Sequence, residues 1–299
     1  MSANKRRLEI LAACLILVSA GAPVGAEDDA AGDSKTFRFS TAERDTIRSI
    51  PTTQVEIRVD EWPGQTFLLW CPEAVAPIGS NSSADFARQE FTEADNGGLR
   101  WEHTPGGKAR VVAIVTPRAD SLLVEVAVTN LTDQPLEQVS AQNCFHLSAA
   151  PDFACDDFSR VHLRKDGEWQ TLKQLQPSVS MPMYYREGFL EAGRSDSWGG
   201  VFKAYNQAAR VDHPLMVCTS RDGTRAVATA SEDYQCVFHN QLEYLRCIHS
   251  QQAPVPVLKP DETVVFRQVI YFIEGGVDEC VRAFVRDFEG DRLRQSANE

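Results

Sequence analysis

Cys247-Ile248-His249 places a thiol and an imidazole two residues apart, and both side chains are metal donors. In a strand, positions 247 and 249 share a face, so the two would point to the same side. Either they meet a metal ion there, or Cys247 is spent on a disulfide and His249 is a packed structural residue. The other histidines, His103, His146, His162, His213 and His239, form no recognised zinc motif, and the sequence carries no signature of a metal or cofactor. A second constellation is His146 with Asp152, Asp156 and Asp157, on the segment Ala149-Ala-Pro-Asp-Phe-Ala-Cys-Asp-Asp-Phe158. Carboxylates on one irregular loop supply oxygen ligands for Ca²⁺ or a general acid and base, although the glycine and terminal glutamate of an EF-hand are missing. A solvated acidic loop fits the same residues. His146, Asp152 and His249 are the candidate catalytic residues.

A third group is aromatic: Trp169, Tyr184, Tyr185, Phe189 and Trp198, with Arg186 and Glu187 among them. The stretch from Pro177 to Gly200 is long for a connection and weakly periodic, and long loops on rigid scaffolds often carry function. Sugar rings stack on Trp or Tyr while guanidinium and carboxylate groups bond their hydroxyls. Trp169, Tyr184, Tyr185, Arg186 and Trp198 are therefore the candidate ligand-binding residues, with core packing as the competing reading. No Gly-rich phosphate loop, Gly-x-Ser-x-Gly elbow or His-Glu-x-x-His helix is present, so those enzyme classes lose support.

The elements that must position these groups read mainly as strands. Val55, Ile57 and Val59 alternate with Glu56, Arg58 and Asp60. Leu99 to His103 and Ala109 to Val115 flank the turn Thr104-Pro-Gly-Gly107. Leu122 to Thr129, Leu136 to Ser140, Val161 to Leu172, Leu215 to Ala230, Gln235 to Phe238, Leu245 to His249 and Val264 to Phe272 follow, divided by turn residues such as Asp166-Gly167 and Asp222-Gly223. Ten or more strands in hairpins predict an antiparallel β sandwich. Two helices are expected beside it. Ser40 with Glu43 forms a capping-box pattern before Thr41 to Ser49, stopped by Pro51. Val277, Cys280, Val281, Phe284, Val285 and Phe288 recur at helical spacing, giving a C-terminal amphipathic helix.

The N-terminus reads as export. Lys5, Arg6 and Arg7 precede the apolar run Ala12 to Ala22 and the small residues before Ala26, a signal-peptide pattern with cleavage expected after Ala26. Leu11-Ala-Ala-Cys14 offers the less favoured alternative of a lipid-modified Cys14. Residues 27–37 are small and charged and are expected to be a disordered leader, 38–292 one sandwich domain, and 293–299 a disordered tail. Cleavage takes three cations and one anion off a net charge of −12, to −14, a balance that disfavours nucleic acid. No later apolar stretch reaches the ~20 residues of a spanning helix.

Seven cysteines remain after cleavage, and an oxidising compartment permits disulfides. Cys236 and Cys247 lie symmetrically about Gln241-Leu242, where a turn would set them opposite each other. Cys144 and Cys155 would close the loop carrying Asp152, stabilising by about 3 kcal/mol on chain entropy. Buried free thiols are the alternative for both pairs.

Cys-Ile-His-Ser250, Leu258-Lys-Pro-Asp-Glu-Thr263, Val269-Ile-Tyr-Phe-Ile-Glu-Gly-Gly276 with its closing helix, and Val128-Thr-Asn-Leu-Thr-Asp-Gln-Pro-Leu136 ahead of Asn143-Cys144 together resemble a group of uncharacterised secreted bacterial proteins, over about residues 120 to 290. More distantly, the arrangement resembles the galactose mutarotase-type β supersandwich, a scaffold that acts on or binds carbohydrates. Epimerases of that type use a His and a Glu on a concave face; neither is matched here by motif, so no catalytic residue carries over. The resemblance and the loop aromatics imply a carbohydrate-associated protein that binds a glycan or assists polysaccharide processing. An epimerase- or lyase-like enzyme with His249 or His146 as base, and a structural module of the cell envelope, are the alternatives.

Overall fold

Alternation of apolar and polar residues settles most of the architecture. Ala109, Val111, Ala113 and Val115 are buried on one strand and Leu122, Val124, Val126 and Val128 on the next, with Arg110 and Glu125 turned outward. The structure, a computed structural model, describes residues 34–47, 50–80, 83, 86, 88–155, 157–177, 179, 181–189, 209–242 and 245–289. Within them two sheets pack face to face.

The larger sheet runs in the order β1 (Phe37–Ile47), β2 (Ile50–Val59), β3 (Phe67–Ala76), β9 (Leu136–His146), β17 (Leu245–Gln252), β16 (Tyr234–Leu242), β12 (Met183–Tyr185) and β13 (Ala209–Arg210). β4 (Gly79–Ser80) pairs with β3, and β18 (Val255–Leu258) with β9. The second sheet runs β11 (Glu168–Thr171), β10 (Val161–Lys165), β14 (Met216–Thr219), β15 (Arg225–Ser231), β19 (Thr263–Glu274), β8 (Ser121–Asn130), β7 (Ala109–Pro117), β6 (Leu99–His103) and β5 (Thr92–Glu93). Every pairing is antiparallel except β12 with β13. The predicted antiparallel sandwich is therefore the observed fold.

Between the sheets lies a continuous core in which aromatic rings from distant strands meet. Phe67 stacks on Phe145 with centroids 5.5 Å apart, and Phe272 meets Phe67 edge-on at 5.3 Å. Each such pair adds about 0.5–1.5 kcal/mol beyond the area it buries. A short helix α1 (Leu172–Leu175) is capped by the Thr171 hydroxyl, which accepts from the Gln174 N–H. The closing helix α2 (Val277–Phe284) has the expected first-turn acids Asp278 and Glu279 and buries Cys280, Ala283 and Phe284 against Leu215, Val217, Ala228 and Tyr271 on the outer side of the second sheet. Gly275 enters it at φ +116, a conformation that an L side chain rarely adopts.

Two expectations are corrected. The segment after Ser40 is strand, not helix: Phe37, Phe39 and Thr41 pair with Val59, Ile57 and Val55, and the Ser40 hydroxyl donates to Glu56 Oε2 at 3.1 Å instead of capping. Period-two burial against β2 outweighs a local capping pattern. The disulfides also fail. All seven described cysteines are free and buried. The β16–β17 hairpin pairs Leu242 with Leu245, so Cys247 faces Asn240 and Cys236 faces Gln251. Cys155 points instead at Asp157 Oδ1, 3.7 Å away, while Cys144 lies on β9 among histidines. Among the described residues no helix is long and apolar enough to cross a membrane.

Candidate functional site

Side-chain alternation decides where the chemistry-bearing residues go. Phe145 and Ile248 point into the core between the sheets and are paired across β9 and β17. Their neighbours Cys144, His146, Cys247 and His249 must then project from the opposite, outer face of the larger sheet. Cys247 pairs with His146, and one step along the same register His249 stands abreast of Cys144. Two thiols thus occupy one diagonal of a four-residue patch and two imidazoles the other.

The tips converge. Cys144 Sγ lies 3.1 Å from His146 Nε2 and 3.4 Å from His249 Nε2, and Cys247 Sγ lies 3.0 Å from His249 Nε2. His249 Nδ1 is 3.1 Å from the Asn143 carbonyl, which only accepts, so Nδ1 carries the proton and Nε2 presents its lone pair to both thiols. All four residues are buried, although they stand on an outer face. Trp70, opposite Cys144 on β3, meets the His146 ring edge-on at 4.3 Å, and Phe238 on β16 lies against His249. Burial raises both thiols, Cys144 well above its ordinary value, lowers His146 to about 3 and drives His249 well below its ordinary value.

A carboxylate joins from β3. The pairing of β3 with β9 shifts between Trp70 and Ala74, and this bulge turns Glu73 to the same face as Gln142, whose Nε2 donates to Glu73 Oε2 at 2.5 Å. Glu73 Oε2 is 3.9 Å from His249 Nδ1, and burial raises its carboxyl to about 7. Two overlapping groups here have metal-ligand spacing: Cys144, His146 and Cys247, and Glu73, Cys144 and His249.

The expected partnership of His146 with loop carboxylates does not form. Asp152 Oδ2 accepts from Arg225 Nη2 at 2.7 Å and from Gln65 Nε2 at 3.0 Å, which makes it a tie between loops. Asp157 pairs with Lys173 at 2.6 Å, and this bond holds its carboxyl well below the usual range. Asp156 lies outside the described residues. His146 and His249, treated as separate candidates, belong to one cluster.

The ligand-binding candidates divide in the same way. Tyr184 and Tyr185 are buried in the larger sheet, and Trp169 packs near α2 with its ring 5.5 Å from His213. Trp198 lies outside the described residues. Among the described candidates, Arg186 alone borders an open cleft of about 430 Å³, with Asp166, Gly167, Glu187, Arg210, Val211, Asp212 and Tyr234. Its guanidinium lies 5.4 Å from the Tyr234 ring centroid and pairs with Asp233 at 2.6 Å. Arg210 bridges Glu187 at 3.1 Å and Asp212 at 3.7 Å.

Sequence reasoning missed Glu73 and the pairing of the two cysteines with the two histidines. The signal for the latter was present in the repeat of Cys-x-His, as Cys144-Phe145-His146 and Cys247-Ile248-His249, in two segments that both read as strand or near-strand.

No family model and no curated sequence matches the chain. Solved structures with a similar chain path include the Slr1438 protein of Synechocystis sp. PCC 6803, at 10% identity and a TM-score of 0.48, covering 84% of this chain and 99% of that one. A galactose mutarotase related enzyme from Lactobacillus acidophilus matches at 9% identity and a TM-score of 0.46, covering 80% and 98%. The α-N-acetylgalactosaminidase NagBb of Bifidobacterium bifidum matches at 14% and 0.44, covering 85% of this chain and 38% of that chain.

Proposed function

We propose that this chain is an exported carbohydrate-associated protein and that the Arg186 cleft is where it meets its glycan. The observation that carries the reading is chemical. Two guanidinium groups and three carboxylates, from Arg186, Arg210, Asp166, Glu187 and Asp212, border one open concavity beside the Tyr234 ring. Planar donors and acceptors, with Arg210 held by Glu187 and Asp212 and Arg186 by Asp233, suit sugar hydroxyls, and the cleft falls within the roughly 300–1,000 Å³ of small-molecule sites. The contact of Arg186 with Tyr234 and the Arg210 bridges limit the freedom of both side chains, so less entropy is lost on binding.

The epimerase- or lyase-like alternative is favoured by one contact, the 3.9 Å approach of Glu73 to His249. His249 is buried and Glu73 keeps 19% of its side chain exposed, whereas proton transfer needs both to share an open space with substrate. Binding is therefore the leading reading. A glycan array followed by calorimetry tests it. Arg210→Ala should weaken the best ligand at least tenfold with the fold intact. Failure of the wild-type protein to bind any glycan in a broad set ends the proposal.

A further inference from the structure

We infer that Cys144, His146, Cys247 and His249 form a closed four-coordinate site for a divalent thiophilic ion of the zinc class, clasping β9 to β17. The inference is independent of the glycan reading, since the cluster lies apart from the Arg186 cleft and shares none of its residues.

Geometry comes first. Tetrahedral zinc with Zn–S near 2.3 Å and Zn–N near 2.0 Å sets its sulfur and nitrogen donors about 3.5 Å apart. Three of the sulfur-to-nitrogen separations are 3.0, 3.1 and 3.4 Å, and the donors of Cys144, His146 and Cys247 all lie within 4.8 Å of one another, so ligation asks those three pairs to open by about 0.1–0.5 Å. Hydrogen bonds alone would tie each thiol to one imidazole, Cys247 to His249 Nε2 and Cys144 to His146 Nε2, and leave the 3.4 Å approach of Cys144 to His249 Nε2 unused. An ion at their meeting point uses the His249 Nε2 lone pair and both sulfurs at once.

The surroundings are those of a liganding histidine. His249 donates its other ring N–H to the Asn143 carbonyl, which fixes the tautomer that leaves Nε2 free for a metal. Phe238 lies flat on the same ring and prevents it from turning. Glu73 lies within 4.8 Å of the Cys144 and His249 donors, but it faces the protonated Nδ1 of His249 and is held by Gln142, so the two thiols and two imidazoles are taken as the ligand set.

Charge selects the ion. A divalent cation with two thiolates and two neutral imidazoles sums to zero, as a buried site requires. Monovalent copper with the same donors would leave a negative charge beside Glu73. Binding exchanges two thiol protons for the ion, so two protons leave per ion bound and neither sulfur is oxidised. Four protein donors, each no more than 2% exposed, leave no position for a reactive water, and such a site stabilises the fold.

The full chain, purified with zinc present and dialysed, should retain one zinc per molecule by elemental analysis. Its cobalt form should show a tetrahedral spectrum with sulfur-to-cobalt charge transfer. Cys247→Ser and His249→Gln should each weaken the ion at least tenfold, while Cys218→Ser, at a buried thiol elsewhere, should leave the stoichiometry unchanged. The wild-type cobalt spectrum decides alone if those variants fail to fold. A folded wild-type chain that takes up neither ion, a cobalt spectrum without sulfur charge transfer, or a Cys144–Cys247 disulfide in the folded protein overturns the inference.

Discussion

The ring of Phe238 lies flat on the imidazole of His249, with centroids 3.9 Å apart and planes 9° from parallel. The two residues are directly opposed on β16 and β17, and the same row continues through Cys144 on β9 to Trp70 on β3. Phe238 therefore both fills the outer face of the sheet and fixes the plane of His249. Phe238→Ala should cost about 3–5 kcal/mol of stability, and Phe238→Leu less than about 2, because the leucine leaves a smaller void. Denaturant midpoints measure both. A loss under about 1 kcal/mol for the alanine variant would show that this face is loosely packed.

How much of this was legible follows from where the information lies. Strands such as β7 and β8 announce themselves because one face is buried and one is wet, which writes period two into the residues. Turns at Asp166-Gly167 and Gly223 were visible because Asp166 and both glycines take positive φ. Ser40 and Glu43 misled because a capping pattern is local, whereas the pairing of Phe39 with Ile57 is not. The cysteine pairing failed because the turn falls two residues later than expected, which moves the register by four and sets Cys247 against Asn240, and short-range symmetry does not determine this. Glu73 was invisible because a bulge, a property of two strands together, turns it to the cluster. The cluster was half legible: Cys247-x-His249 was recognised, but Cys144-x-His146 was assigned to the acidic loop that follows it.

His213 gives the protein a pH dependence with a definite sign. Its Nδ1 accepts from the Leu215 N–H at 3.3 Å, and its ring packs 4.6 Å from Phe284 of α2. Burial, aided by the nearby Arg164 charge, lowers its pKa to about 4. A proton taken up there would displace the Leu215 bond. The unfolded chain binds that proton near pH 6.5, so the stability from neutral His213 is complete above 6.5, falls as the pH drops and is gone below about 4. The contribution is about 2 kcal/mol after allowance for partial exposure. Urea midpoints from pH 7 to 4 should fall more steeply for the wild type than for His213→Leu, and parallel curves would refute the assignment.

Asp152, a catalytic candidate on sequence grounds, is placed to act as a structural tie. Its carboxylate receives Arg225 and Gln65, and its backbone carbonyl accepts the Arg221 N–H at 2.8 Å, so one residue fastens the loop after β9 to the β14–β15 turn and to the segment before β3. The pair is only partly exposed, at 35% for Asp152 and 18% for Arg225, and its charge-assisted bonds are correspondingly firmer than those of a surface pair. Asp152→Ala should therefore lower stability by about 1–3 kcal/mol, leaving Arg225 without its acceptor. Glycan affinity at the Arg186 cleft should not change. A variant as stable as the wild type that has lost ligand binding or turnover would return Asp152 to a catalytic or binding role, and thermal melts run beside calorimetry separate the two cases.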